Sequence, residues 1–310
     1  MNVYIAVDIG GTQIRVAVYP QQGTKPLDQH RFPTKGKGTA MERLLSFIAE
    51  LWPTEHQVLA IAAAAPGPLD PRRGILFSAP NIPGWVNLPL QQAIQERFGV
   101  PVAVGNDANM AALGEWRFGA GVGFHNQIYI TISTGIGGGV ILEDRLVLGE
   151  KGLAAEMGHI IISPDGPTCS CGLRGHLEAY ASGTAIAKYV ADQLAHGRGS
   201  SLPRDPSPNA QQIAQAANQG DPLACEAYNR AGTYLGMGLA NYLHLYNPSI
   251  IILGGGVSRS GPILLEPLRK ALYSNVMSPE YVKDLQIVLA ALGDNAGLLG
   301  CLALAQMAQG

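Results

Sequence analysis

Charge is scarce in this chain: Asp, Glu, Lys and Arg make up only 14% of it and sum to −2. Nucleic-acid binders carry clustered Lys and Arg, and this composition gives no such footprint, so no nucleic-acid partner is expected. Cysteine is rare as well. Four cysteines in 310 residues do not make a disulfide scaffold, and Cys225 and Cys301, alone in apolar surroundings, read as core residues. Long apolar runs are also missing. The longest uncharged stretch, residues 231–258, is interrupted by Asn241, His244 and Asn247-Pro248. It falls short of a membrane span of ~20 apolar residues and reads as a buried helix followed by a buried strand. No signal peptide is expected either: residues 3–7 form a short apolar run ended by Asp8, with no basic residue before it. These absences leave a soluble, cytoplasmic protein with no membrane partner.

What is present is enough chain for about two domains, an apolar fraction of 47% that excludes disorder, and glycine. There are 39 glycines, nearly twice the usual ~7%, set in short clusters between apolar runs. Such clusters mark tight turns or close approaches of backbone to ligand.

The order of elements is that of an α/β fold. Residues 3–7 read as a strand running into Asp8-Ile9-Gly10-Gly11-Thr12, after which Ile14, Val16 and Val18 alternate with polar or small neighbours as a second strand. A third strand follows near residues 30–32. Residues 40–51 have helical spacing, and 58–65 form a continuous apolar run ended by Pro66-Gly67-Pro68, as a buried strand should. A helix at 89–98, a strand at 102–104 closing on Asn106-Asp107, and a helix at 108–116 complete the first half. Then the opening returns about 125 residues later: strand 128–132, the turn Ser133-Thr134-Gly135-Ile136-Gly137-Gly138-Gly139, and strand 140–142. A duplicated unit, one copy opening each half, is the natural inference. Helices at 182–196, 209–218 and 222–244 follow, then a strand at 250–253 ending on Gly254-Gly255-Gly256. A helix (263–273), a strand (285–290) and a last helix (295–309) finish the chain. The expected division is a first lobe of 1–117 and a second of 118–294, with the final helix, 295–310, packing back on the first.

Each glycine hairpin offers backbone N–H groups to an anion, and Thr12 and Thr134 add hydroxyls. Asp8, at the end of the first strand, suits a hydrated Mg2+, which keeps most of its waters and takes few carboxylates. Either turn alone could equally be an ordinary hairpin; two matching turns and a third cluster at Gly254, Gly255 and Gly256 favour a ligand. No G-x-x-x-x-G-K-[ST] occurs, which excludes a P-loop, and Gly135-Ile136-Gly137-Gly138-Gly139 precedes a strand, which excludes a dinucleotide fingerprint.

Taken in order, the motifs resemble those of the ROK sugar kinases, members of the actin-like ATPase superfamily. They are Asp8-Ile9-Gly10-Gly11-Thr12, Ala65-Pro66-Gly67-Pro68, Asn81-Ile82-Pro83-Gly84-Trp85, Asn106-Asp107-Ala108-Asn109, residues 133–139, Glu156-Met157-Gly158-His159, and Cys169-x-Cys171-Gly172-x-x-Gly175-His176-x-Glu178. The resemblance spans nearly the whole chain. It implies two actin-like (ribonuclease-H-like) lobes around a central cleft, with the sugar between them. ATP would lie on the hairpins at Gly10, Gly11, Thr12, Thr134, Gly135 and Gly137, and adenosine beside Gly254, Gly255 and Gly256. It also implies that Asn106, Asp107, Glu156, His159 and Glu178 contact the sugar, with Asn81 and Gly67 as neighbours.

Phosphoryl transfer to a hydroxyl needs a base for the departing proton. Asp107 follows a buried strand and opens a helix whose N-terminus keeps a carboxylate ionised. It is therefore the candidate base; its plainer duty would be an N-cap, and that of Glu156 a solvated loop carboxylate. His159, Cys169, Cys171 and His176 offer two thiolates and two imidazoles, a set suited to tetrahedral Zn2+. The Cys-x-Cys spacing is tighter than usual, and free cysteines in a glycine-rich loop are the alternative. Many ROK relatives carry a third Cys where this chain has His176. A structural zinc would pin the loop bearing the sugar contacts. The expected activity is ATP-dependent phosphorylation of the 6-hydroxyl of a hexose, glucose first, by a homodimer or homotetramer. N-acetylglucosamine, N-acetylmannosamine, mannose and fructose are alternative acceptors, and polyphosphate an alternative donor. A sugar-sensing regulator is the remote alternative; such relatives carry a helix-turn-helix region before the first hairpin, and here Asp8 stands eight residues from the start.

Overall fold

The computed structural model describes residues 1–79 and 81–308. The chain opens with β1 (Asn2–Ile9), β2 (Gln13–Pro20) and β3 (Asp28–Pro33). Thr39 then starts α1 (Ala40–Glu50) through a capping box with Glu42, which satisfies two otherwise orphaned N–H groups. Next come β4 (Gln57–Ala65), three short strands β5 (Leu69–Asp70), β6 (Ile75–Ser78) and β7 (Val86–Leu88), and α2 (Leu90–Phe98), stopped by left-handed Gly99. β8 (Val102–Asn106) runs straight into α3 (Asp107–Phe118). The second half holds β9 (Gln127–Ile132), β10 (Ile136–Leu142), β11 (Arg145–Leu146), α4 (Glu178–Ala181), α5 (Gly183–Ala195) and α6 (Ala210–Asn218). Then follow α7 (Pro222–Tyr246), β12 (Ile250–Gly254), α8 (Pro262–Asn275), β13 (Gln286–Leu289) and α9 (Ala296–Met307).

Two five-stranded sheets have one order: β3-β2-β1-β4-β8 and β11-β10-β9-β12-β13. In the first, β1 is antiparallel to β2 and parallel to β4; in the second, β12 is parallel to both β9 and β13. The repeated topology is the duplication that the two hairpins imply. The β5-β6-β7 sheet is an insertion that sequence pattern does not reveal, because strands of two to four residues are too short to show a period.

The first sheet is buried on both faces, which explains the unbroken apolar run of β4. Val3, Ile5, Val7 and Ile9 of β1 join Ile61, Ala63 and Ala65 of β4 under Leu44 and Ile48 of α1. On the other face Tyr4, Ala6, Ala60, Ala62 and Ala64 meet Met110 and Leu113 of α3 and Leu298, Cys301 and Leu302 of α9. The alanines let these helices lie close. Closer still is the α3–α9 crossing, where a Cβ on Gly300 would overlap the Met110 backbone.

The chain divides into two compact units: Met1–Gly123, Gly139–Ala155 and Ala291–Gly310, and Phe124–Gly138 with Glu156–Ala290. The first therefore keeps all of α3, beyond the expected break at 117/118, and takes in 139–155 as well. Several contacts hold that segment: a Cβ on Gly139 would stand 2.5 Å from that of Ala112, so glycine lets β10 press on α3, Gly152 lies against Pro71, and Leu146 packs on the α3–α9 core. The expected last helix is α9 to Met307; Gln309 and Gly310 lie outside the described residues. The 231–258 stretch resolves into the end of α7, stopped at left-handed Asn247 before Pro248, and buried β12. No helix among the described residues is long and apolar enough to cross a membrane. Cys301 is fully buried, whereas Cys225, expected in the core, is only half-buried, its thiol donating to the Ala217 carbonyl at 3.3 Å.

Candidate active site

In the first unit the β1–β2 turn closes when Gly10 N–H donates to the Gln13 carbonyl at 2.8 Å. Thr34 fastens the turn from outside: its hydroxyl donates to Gly10 O at 2.6 Å, and its N–H to Thr12 O at 2.9 Å. Gly11 lies against Asn81, where a Cβ would come within 2.7 Å of the Asn81 Cβ, so the first glycine turn and the Asn81 loop are in contact. Asp8 is paired with Arg15, whose Nε lies 3.1 Å from Asp8 Oδ2 and whose second nitrogen is closer. A carboxylate oxygen there is a donor of the kind that suits Mg2+, which binds largely through its own hydration shell.

Asn106 and Asp107 divide the work at the start of α3. Asn106 is the N-cap, its Oδ1 accepting from Ala108 and Asn109 N–H, and its Nδ2 donates to the Gly67 carbonyl at 3.1 Å. Gly67 itself is left-handed, at φ +95, a conformation glycine permits without strain. Asp107 is therefore not the cap. It is the exposed first residue of the helix, with Oδ1 accepting from Ala108 N–H at 2.8 Å.

The second unit gathers the remaining candidates around the β9–β10 turn. Glu178, at the start of α4, accepts the Ile136 N–H on Oε2 at 2.9 Å and the Ser170 hydroxyl on Oε1 at 2.5 Å. A Cβ on Gly135 would lie 2.5 Å from that Oε2, so this turn needs glycine to admit the carboxylate. Glu156 precedes a single 3-10 turn that ends at His159. The Glu156 carboxyl is pushed above its ordinary range by desolvation, against the pull of His159 and with the Glu178 carboxylate adding to the rise.

His159, Cys169, Cys171 and His176 converge, their ligand atoms all within 4.8 Å of one another. The two Nδ1 atoms are 3.2 Å apart, Cys169 Sγ is 3.7 Å from His159 Nδ1, and Cys171 Sγ is 3.3 Å from His176 Nδ1. Metal–ligand distances of ~2.0–2.3 Å imply such spacings around a tetrahedral ion, so the four residues fit a metal ion. Without a cation, burial pushes the Cys169 thiol up to about 11. His159 turns Nδ1 to the cluster, and its Nε2 is the nitrogen left for a ligand.

A cavity of about 850 Å3 opens in the second unit between the Ser133-Thr134 turn, Gly256, Arg259 and α6. Of the residues expected to hold nucleotide there, Thr134 and Gly256 line it. Gly254 instead ends β12 against the Tyr129 ring, and Gly255 makes the left-handed turn at φ +83 that exposes Gly256. Gly135 and Gly137 stand in the hairpin behind it. Sequence reasoning missed Gln211, Gln215 and Arg259, which also face the cavity. Their only signal is two polar positions four apart on a helix and one cation after a glycine turn.

The duplicated sheet topology with a glycine hairpin in each copy, the carboxylate at the head of α3 and the Cys/His cluster define a class of protein. The ROK family model matches residues 4–308, and the chain belongs to that family. It is 37% identical to a glucokinase from Streptomyces coelicolor, over 99% of this chain and 98% of that one. Among solved structures, a ROK family glucokinase from Streptomyces griseus in complex with glucose and AMPPNP matches at 37% identity. Its TM-score is 0.81, over 98% of this chain and 99% of that one. A ROK family transcriptional regulator, a homolog of the E. coli MLC protein, matches at 30% identity. There the TM-score is 0.90, over 99% of this chain and 78% of that one. The α/β fold is thus the actin-like one of the ROK sugar kinases.

Proposed function

We propose that the protein is an ATP-dependent glucokinase that moves the γ-phosphoryl group of ATP to the 6-hydroxyl of glucose. The observation that carries the reading is Asp107. Asn106 does the capping, so the exposed Asp107 carboxylate is held on a fixed helix end. In this role Asp107 takes the proton from the sugar O6–H as that oxygen bonds to phosphorus and ADP leaves with the electrons of the broken P–O bond. Phosphoryl transfer asks little else of the protein beyond positioning and charge stabilisation. Mg2+ supplies that charge stabilisation when bound, with Asp8 holding its hydration shell. The Gly10, Gly11, Thr12 and Thr134 turns receive phosphates, with Gly135 and Gly137 shaping the second, and the cavity at Gly256 receives adenosine.

Glucose contacts are assigned to Asn81, Gly67, Asn106, Asp107, Glu156, His159 and Glu178. Convergent polar groups discriminate strongly because an unmatched buried one is costly. The Cys/His cluster holds a structural Zn2+. With all four positions filled by protein it has no open site for chemistry, and its work is to fix the loop that carries His159 and leads to Glu178. The two units correspond to the two kinase lobes, α9 belonging to the first. The low charge fraction accords with a cytoplasmic homodimer or homotetramer.

The relatives support glucose in particular: the glucokinase from Streptomyces coelicolor is matched over 98% of its length. The test is ADP release from MgATP with glucose, N-acetylglucosamine, N-acetylmannosamine, mannose and fructose in turn. Preference for glucose is the expected result. Activity confined to an N-acetyl sugar overturns the substrate, and silence on every sugar overturns the kinase.

A further inference from the structure

Glu115 is a buried carboxylate to which the proposed chemistry gives no task. It sits in the last turn of α3, fully inaccessible to solvent, and pairs with no Lys, Arg or His among the described residues. Instead it collects backbone N–H groups. Oε2 accepts from Ala120 at 2.9 Å and from Ala291 at 3.1 Å, and Oε1 accepts from Leu292 at 2.8 Å. Gly119 has no side chain where a Cβ would strike Oε2, so the chain can fold tightly around the carboxylate. Three donors and no other acceptor define a site for an anion specifically. A glutamine there would direct its own N–H2 at one of those donors.

The segment that Glu115 holds leads to Asp8. Two residues past Leu292, the Asp294 carbonyl accepts from Arg15, whose other nitrogens grip Asp8 Oδ2. Three residues further on, Gly297 is so close to Asp8 that a Cβ would stand 2.9 Å from Oδ2. At the other end of the same helix as Glu115 stands Asp107. The α3–α9 crossing is tight at Gly114 and Gly300, backbone against backbone. Asp107 and Asp8 are thereby tied by an unbroken set of contacts: α3, Glu115, residues 291–297 and Arg15.

We propose that Glu115 is a positioning residue for phosphoryl transfer, setting the place of Asp8 relative to Asp107 through residues 291–297 and Arg15. The proposal rests on the kinase reading above. A displacement of about 1 Å in such a geometry costs up to ~100-fold in rate, without any need for the sugar to bind less well.

The experiment compares the full-length wild type with Glu115→Gln and Arg15→Gln, each confirmed folded at the assay temperature. It reads kcat, the glucose Kd by calorimetry, and the ADP Kd with and without Mg2+. Both variants are expected to lose ~10- to 100-fold in kcat with glucose Kd essentially unmoved. The tightening of ADP binding by Mg2+, which needs Asp8 in place but no turnover, is expected to shrink in both. If Glu115→Gln does not fold, Arg15→Gln tests the same chain of contacts from its outer end. A lower melting temperature with unchanged kcat and unchanged Mg2+ effect would make Glu115 purely structural and overturn the proposal, as would parallel losses in kcat and glucose affinity. A wild type that turns over no sugar overturns the kinase reading and this proposal together, and so is told apart from failure of the proposal alone.

Discussion

The two glycine hairpins share a scaffold and differ in chemistry. Tyr4 and Tyr129 are buried alike at equivalent places of β1 and β9, and both sheets then run in the same order. Where the first copy has Asp8, the second has Ser133. The first hairpin thus carries its own carboxylate, neutralised by Arg15 from the paired strand. The second borrows one: Glu178 reaches over from α4 to accept the Ile136 N–H. The lesson is that duplication preserved the backbone device for approaching an anion, while the charged group was placed separately in each copy. One copy sits beside the carboxylate proposed for the metal, the other beside the carboxylate proposed for sugar.

The sharpest way to break this division is at Asp107. Asp107→Asn is expected to lower kcat by about 1,000-fold, within the range for removal of a general base, with the glucose Kd changed less than about threefold by calorimetry. Comparable losses in both would make Asp107 a sugar contact only. In the proposed account the second copy depends on a metal at the Cys/His cluster. Cys171→Ser is expected to remove zinc seen by elemental analysis of the wild type and to weaken glucose binding ~10- to 100-fold, as loss of ligand support commonly does. Full sugar affinity in zinc-free protein would contradict that.

Alanine at each hairpin separates the two copies. Gly135→Ala drives a methyl against Glu178, an overpacking cost of about 1–3 kcal/mol expected to show in the glucose KM. Gly10→Ala meets only the Gln13 carbonyl of its own turn, at 3.0 Å, and its smaller effect belongs in the ATP KM. The reverse pattern would erase the distinction. The smallest expected effect lies outside both hairpins. Desolvation raises the Asp221 carboxyl, but N–H donors from Ala224 and Ser201 and hydroxyls from Ser200 and Ser201 outweigh it and hold the group at about 2. A depressed carboxyl stabilises the fold above its ordinary value of 3.8, and that stabilisation fades as pH falls towards 2. It amounts to about 2 kcal/mol. Urea unfolding at pH 5 and pH 2.5 should show this loss in the wild type and a shallower one in Asp221→Ala, with turnover at neutral pH unaffected.

Much of this was legible in the residues because it rests on local signals. Alternation and glycine turns mark β1, β2, β9 and β10, and the helices that Thr39 and Asp221 cap begin where their apolar spacing places them. The Cys/His cluster assembles from four residues within one short loop region. What was not legible depends on contacts between distant segments. Nothing near Glu115 in sequence announces that residues 291 and 292 will donate to it. Nothing in β2 announces that Arg15 will take one oxygen of Asp8. The cap at α3 was ambiguous for a different reason: Asn106 and Asp107 are both good caps, and only the backbone at Asn106, extended at φ −68 and ψ 144, decides between them. The return of 139–155 to the first unit rests on contacts between distant segments: Gly139 on Ala112, Leu146 on the α3–α9 core and Gly152 on Pro71.

The most direct measurement is of the product itself. Glucose and MgATP incubated with the protein should give, by 31P NMR, ADP and a single new phosphomonoester resonance that shows the coupling of a phosphate on the sugar's 6-oxygen. Glucose that binds but yields no phosphorylated sugar, or a phosphate on any other hydroxyl, would contradict the account.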